Sequence, residues 1–369
     1  MNAPPSPPTD VPEAVFARHG WNAAAVQALN PGLWRWAAPG AFAGFAKAQA
    51  WPWGGRVWMG AGEPVCAPGA LRSASARVAG AARREGARVA WFGASERFRG
   101  LWRGGELVLG AQPVWAPRAW PGILARTASV RAQLNRARNK GVAVRPLTEP
   151  LAPEALARIE RVRRAWLAGR GLPPLRFMVE SGVTGAPGAR RFLLARRGGA
   201  SGGADVGALV LAPIPARQGV FVEWIWQTPE APNGTAALLL DAAFRLAAAE
   251  GARMLTLGMV PLSRHAPPTP EAPPRHVRAL LAWVRAHARR FYNFEGLERF
   301  KAKFRPEGWE TLYLLVTERE IGLGHLHAVA DAFAGPQRSP TALVGAALAR
   351  AAREEVSGGI AAARGRLSP

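Results

Sequence analysis

The chain has 369 residues, 49% of them hydrophobic, and a formal net charge of +23 from 48 Lys and Arg against 25 Asp and Glu. That length holds two ordinary domains with cores of their own, and that apolar share excludes a disordered polyelectrolyte. A single cysteine, Cys66, excludes an intramolecular disulfide and a cysteine-built zinc site. No apolar run approaches the roughly 18 residues of a membrane span. The start, Met-Asn-Ala-Pro-Pro-Ser-Pro-Pro, has neither the basic nor the apolar segment of a secretion signal. The expectation is a cytoplasmic protein that needs neither metal nor cofactor. The charge favours a polyanionic partner, either nucleic acid or an anionic membrane surface, over mere Arg-rich composition.

In chain order, residues 1–10 read as a loose Pro-rich tail. Asp10 caps a first helix that ends at Asn30-Pro31-Gly32. A Trp-rich region follows (Trp34, Trp36, Trp51, Trp53). Then come a strand at Arg56–Met59, a helix at Pro68–Gly86 and strands at 88–93 and Glu106–Trp115. Ser129–Lys140 is a basic helix with Arg131, Arg136, Arg138 and Lys140, stopped by Gly141. Such a run is either a solvated face or a contact surface for phosphates.

Val142–Leu147 opens a second half. It continues with a helix at Pro153–Gly171 and strands at Phe192–Arg197, Val206–Pro213 and Val220–Gln227. Val220–Gln227 is apolar on both faces, as a central strand is. A loop, Thr228–Gly234, leads to a helix at Thr235–Glu250 and a strand at Arg253–Leu262. Strand, Gly-containing loop, helix and strand form a right-handed crossover, with ligands expected at strand carboxyl ends near the helix N-terminus. Asn233, Gly234 and Thr235 are therefore the expected anion-facing loop. A Pro-rich segment, Ser263–Pro274, precedes a helix at His276–Arg290.

Phe291–Glu310 concentrates residue types that are rare elsewhere. It holds Tyr292, one of two tyrosines, and Lys301 and Lys303, two of four lysines. Gly296–Phe304 reads as a short helix closed by Pro306, with Leu297, Phe300 and Phe304 on one face. Lys301 falls in that apolar arc, while Arg299, Lys303 and Arg305 point away from it, Arg299 and Lys303 as surface charge. Lys301 either snorkels to water or places an ammonium at the mouth of an anionic-substrate site. Lys301 and Arg305, four residues apart, are spaced to bracket a phosphate. Thr311–Thr317 is a closing strand, and beyond Glu318 the chain is an Ala-rich helical tail.

Five segments resemble, in order, the catalytic domain of bacterial aminoacyl-phosphatidylglycerol synthases (multiple peptide resistance factors). They are Gly93-Ala-Ser-Glu-Arg-Phe98, Leu134-Asn-Arg-Ala-Arg138, Ala231-Pro-Asn-Gly234, Leu255-Thr-Leu-Gly-Met-Val-Pro-Leu-Ser263 and Phe291-Tyr-Asn-Phe-Glu-Gly-Leu-Glu-Arg-Phe-Lys-Ala-Lys-Phe-Arg-Pro306. The last is specific; the others mean little singly. The resemblance implies an α/β fold of two tandem acetyltransferase-like (GNAT-type) lobes, each a mixed sheet flanked by helices. The lobes would span 11–141 and 142–318, the second catalytic, with a helical tail at 319–369.

The resemblance also implies transfer of an amino acid from aminoacyl-tRNA to phosphatidylglycerol or a related anionic lipid, at the inner face of the plasma membrane. Larger relatives carry a flippase domain that these 369 residues do not include. Where the family shows an aspartate and an arginine on the central strand, this chain has Glu223 and then Trp226-Gln227, which leaves the transferred amino acid and the acceptor open. Oligomeric state is not legible.

An aminoacyl ester is already activated, so the chemistry needs positioning, a proton acceptor and oxyanion stabilisation. With six histidines and no Ser-His-Asp order, direct attack in a ternary complex is simpler than a covalent triad. Glu223, flanked by Val222, Trp224 and Ile225, is the candidate general base or amine-binding carboxylate; a solvated strand-edge carboxylate is the alternative. The site expected is thus catalytic Glu223 and Lys301; Asn233, Gly234, Thr235, Arg305 and Tyr292 against substrate; and Arg131, Arg136, Arg138 and Lys140 against tRNA phosphates. Two other readings stay open: acyl transfer to a soluble acceptor, and a non-catalytic basic module for RNA or membrane.

Overall fold

The computed structural model describes residues 11–50, 54–147, 150–169, 176–179, 190–198, 203–291 and 293–335. The single first helix expected up to Asn30 is two: α1 (Pro12–His19) and α2 (Ala23–Gln27). The break falls at Gly20, where a Cβ would stand 2.8 Å from the Phe16 ring, and Asn22 caps α2 by accepting from the Ala25 amide at 3.0 Å. The Trp-rich region contains a hairpin that sequence reading did not resolve, β1 (Trp34–Ala38) and β2 (Ala41–Gln49). The first half continues through β3 (Arg56–Ala61), β4 (Val65–Cys66), α3 (Leu71–Arg84), β5 (Ala87–Ala94), α4 (Glu96–Arg99) and β6 (Glu106–Trp115). Two helices, α5 (Trp120–Arg126) and the basic α6 (Ala128–Asn139), bridge to the second half.

That half contains β7 (Val142–Pro146), α7 (Pro153–Ala168), β8 (Arg191–Arg197), β9 (Ala204–Ile214), β10 (Gly219–Gln227) and α8 (Thr235–Ala249). The strand expected at Arg253–Leu262 is cut in two, β11 (Met254–Thr256) and β12 (Val260–Pro261). Then come α9 (Arg275–Phe291), α10 (Phe294–Ala302), β13 (Gly308–Val316) and α11 (Leu323–Ala334).

Among the described residues, thirteen strands join one mixed sheet in the order β1-β2-β3-β5-β13-β6-β11-β10-β9-β8-β7, with β12 beside β6 and β4 beside β2. The same unit occurs twice: an antiparallel pair, a helix, then a parallel strand. It is β2-β3-α3-β5 in one half and β9-β10-α8-β11 in the other. The lobes are not separate sheets, because β6 pairs with β11 through Trp115↔Leu255 and Val114↔Thr256. Nor does the last strand stay in its own half: β13 inserts between β5 and β6.

Four cores line the sheet, one of them running across both halves through Ala212, Ile214, Phe221 and Met254. In the first half, α3 seals Phe45, Trp58 and Trp91 on one face, and α2 and α11 cover Phe42, Met59 and Phe92 on the other. In the second, α5, α6 and α8 cover one face around Trp115, Trp120 and Phe244, and α7 covers the other around Trp226. Each fully buried tryptophan contributes about 2–3 kcal/mol by removing its surface from water. Where β10 pairs with β9 the register shifts between Val222 and Trp224. The extra residue is Glu223, and the bulge flips the alternation beyond it: Val220 and Val222 face α8, whereas Trp224 and Trp226 face α7.

Candidate active site

The loop before α8 folds on itself. The Thr235 amide and hydroxyl both donate to the Pro232 carbonyl, at 3.1 and 2.7 Å, so Thr235 is buried and spent on the turn. Gly234 takes φ +99°, and a Cβ there would stand 2.1 Å from the Gln133 carbonyl oxygen, so only glycine lets α6 approach this closely. No side chain caps the N-terminus of α8, which leaves the Ala236 and Ala237 amides as its uncapped first-turn donors. They open on a cleft of ≈ 390 Å³ walled by Gln133 and Arg136 of α6, Gln227 of β10, Asn233 and Gly234 of the loop, and Phe300 and Lys303 from α10. A helix N-terminus with two cations beside it suits an anion.

Lys303 departs from the expectation of plain surface charge. The helical wheel assumed a helix through Phe304, but α10 ends at Ala302, and the Phe304 amide bonds back to the Lys301 carbonyl at 3.2 Å in a tightened last turn. That turn swings Lys303 over the Phe300 and Phe304 rings, 4.8 and 4.9 Å from their centroids, and onto Gln133 Oε1 at 2.9 Å. Burial holds its pKa below the usual lysine value. Gln133 was also missed; nothing in its local sequence marks it, since only packing brings it to the cleft, whereas Gln227 was noted only as a departure from the family's pattern.

Lys301 is not among the residues that line the cleft. It is buried, and its ammonium donates to the carbonyls of Leu257, Gly258 and Met259 at 2.6, 2.8 and 3.1 Å. Those are the residues that interrupt the expected strand between β11 and β12. Gly258 takes φ +70° there, with the Phe221 ring 2.7 Å from where a Cβ would stand. Burial pushes the Lys301 pKa down to about 7, and the three carbonyls act in the opposite sense by favouring the charged form.

Glu223 is not a solvated carboxylate and does not present a free oxygen. Both oxygens accept from the Arg190 guanidinium, at 2.5 and 2.8 Å, and Arg190 also donates to Asn30 Oδ1 at 2.9 Å. Neither ion-pair partner reaches water, with side-chain exposures of 5% for Arg190 and 2% for Glu223.

Arg305 is exposed in a left-handed turn (φ +48°), so it does not bracket an anion together with the buried Lys301. Of the four cations expected against tRNA, Arg136 alone lines the cleft. Arg131 donates to the carbonyls of Leu124 and Ala125, and Arg138 pairs with Asp241 at 3.1 Å. Lys140 is exposed at the end of α6. Tyr292 lies outside the described residues. Among the described residues, no group of three or more His, Cys, Asp or Glu stands together to hold a metal ion.

Several solved structures share this architecture. The C-terminal domain of a putative lysylphosphatidylglycerol synthetase from Agrobacterium fabrum superposes with a TM-score of 0.70 at 21% identity, over 88% of this chain and 96% of that one. The structure of L-PGS from Bacillus licheniformis gives a TM-score of 0.68 at 19% identity, over 87% and 93%. A conserved protein of unknown function from Bacteroides thetaiotaomicron follows at 0.53 and 12%, over 83% and 96%. No curated protein matches in sequence.

The fold is thus a mixed α/β fold of two related halves, fused through one sheet. Residues 48–316 match the family described as phosphatidylglycerol lysyltransferase, C-terminal, and the chain belongs to that family of acyl and aminoacyl transferases.

Proposed function

We propose that the protein transfers an amino acid from aminoacyl-tRNA to a hydroxyl of phosphatidylglycerol or a related anionic lipid, in the cleft at the N-terminus of α8. The observation that carries this reading is the convergence of Gly234, Arg136 and Lys303 on one cleft from three separate segments. The α8 amides and Arg136 hold a phosphate next to the tRNA 3′ end. The lipid hydroxyl oxygen attacks the ester carbonyl carbon, the bond to the ribose oxygen breaks, and the hydroxyl proton passes to that leaving oxygen. Lys303, half-buried beside Phe300, stabilises the oxyanion that forms between the two steps. Glu223 and Lys301, whose polar atoms are taken by Arg190 and by backbone carbonyls, serve as positioning residues in this scheme.

Expression in a host without aminoacylated lipids tests the proposal. Lipid extracts should gain a ninhydrin-positive phospholipid, and a lysate assay should lose it after ribonuclease treatment. Lipids unchanged, with the protein folded and abundant, would refute it.

A further inference from the structure

We infer that α9 is the surface by which the protein sits on an anionic phospholipid bilayer. The inference rests on the proposed lipid acceptor and names the face that meets it. Helix α9 runs Arg275–Phe291 with five arginines and no acidic residue. Its inner side is apolar: Val277 is fully buried, and Leu281 packs on the core formed around Phe92 and Met59. Its outer side exposes Arg275, His276 and Arg278 together with Trp283, whose relative exposure is 41%.

Trp283 thus presents part of its ring to solvent on the basic face of an amphipathic helix. A bilayer uses such a ring, because indole settles at the headgroup level while neighbouring arginines meet lipid phosphates. Among the described residues no helix is long and apolar enough to cross a membrane, so the contact is one of lying on the surface. The position suits the task. After Phe291 the chain enters α10 within three residues, and α10 carries Phe300 to the cleft wall. Arg136 of α6 lines the same cleft.

The test measures co-sedimentation of the whole chain with phosphatidylcholine vesicles and with mixed phosphatidylcholine–phosphatidylglycerol vesicles. The wild type should bind the mixed vesicles and leave the neutral ones. Trp283→Ala and the double variant Arg275→Glu/Arg278→Glu should each lose about tenfold or more in partitioning, with unchanged melting temperature and unchanged gel-shift binding of tRNA. Binding of mixed vesicles by both variants at the wild-type level overturns the inference. So does loss of tRNA binding in place of vesicle binding, which would make α9 an RNA face.

A monomeric short-chain phosphatidylglycerol separates this from the proposed reaction. Variants that keep wild-type transfer to the soluble acceptor but lose transfer to vesicles support the docking role. A wild type that binds mixed vesicles through α9 yet aminoacylates neither acceptor keeps the docking surface and removes the reaction.

Discussion

The Lys301 ammonium lies 2.8 Å from the carbonyl oxygen of Gly258, flanked by the Leu257 and Met259 carbonyls. An ammonium has three N–H donors, and here all three end on backbone. The helix that walls the cleft is thereby tied to the gap between β11 and β12, and one buried side chain sets the distance between them.

Lys301→Met should therefore act first on stability. It leaves three carbonyls without a donor in a dry site, at a cost of about 3 kcal/mol. Thermal melts should show a clear fall in midpoint, and activity should fall with it. Full stability alongside abolished transfer would instead mark Lys301 as a substrate-contacting group.

The pH dependence has a definite sign. Lys301 titrates near 7 in the folded protein and near 10.4 unfolded, so between these values the unfolded chain holds the extra proton. Stability at this site therefore rises with pH from about 7 to about 10, and below 7 the full penalty of burying the charge remains. Help from the carbonyls narrows that window without reversing the slope. Comparing wild type with Lys301→Met across the range isolates the effect, and a flat difference would show the ammonium to be fully compensated.

Glu223→Gln tests the buried pair. Arg190 would keep its charge and lose its partner, which costs about 3 kcal/mol or more. The double variant Arg190→Met/Glu223→Met should recover much of that loss, giving strong coupling in a double-mutant cycle. A general base would behave otherwise, with transfer lost at unchanged melting temperature.

At the cleft, Arg136→Ala and Lys303→Ala should each lower kcat/KM for transfer about tenfold or more, and Arg136→Ala should also flatten the salt dependence of tRNA binding. Arg131→Ala, whose guanidinium serves the carbonyls of α5, should leave transfer nearly intact. Equal losses in all three variants would mean a diffuse electrostatic effect.

Gly234→Ala forces a Cβ to within 2.1 Å of the Gln133 carbonyl at φ +99°, so α6 and α8 must separate. Gly40→Ala is the control, with φ +68° but open space around it, and its cost is the backbone strain alone, about 1 kcal/mol. Melting should fall more for Gly234→Ala, and transfer should fall with it alone.

Periodicity and punctuation made most elements legible. Gly141 after the basic helix, Pro306 after the aromatic one and the apolar run of β10 all mark local backbone preferences, which act within a few residues. The turn before α8 was visible for the same reason, and the family was legible because its longest motif is an unbroken stretch of chain. The partners of the charged side chains were not legible. Arg190 reaches Glu223 across 33 positions and Lys301 reaches Gly258 across 43, so whether each charge is spent inside or offered to a substrate depends on contacts between distant segments. The insertion of β13 between β5 and β6, which fuses the lobes, is likewise a matter of strand pairing that no local pattern encodes. The sequence alone determined the elements, the net charge and the kinship. Only the tertiary structure decided which cations face the cleft, because burial and hydrogen-bond satisfaction are properties of the assembled sheet and helices.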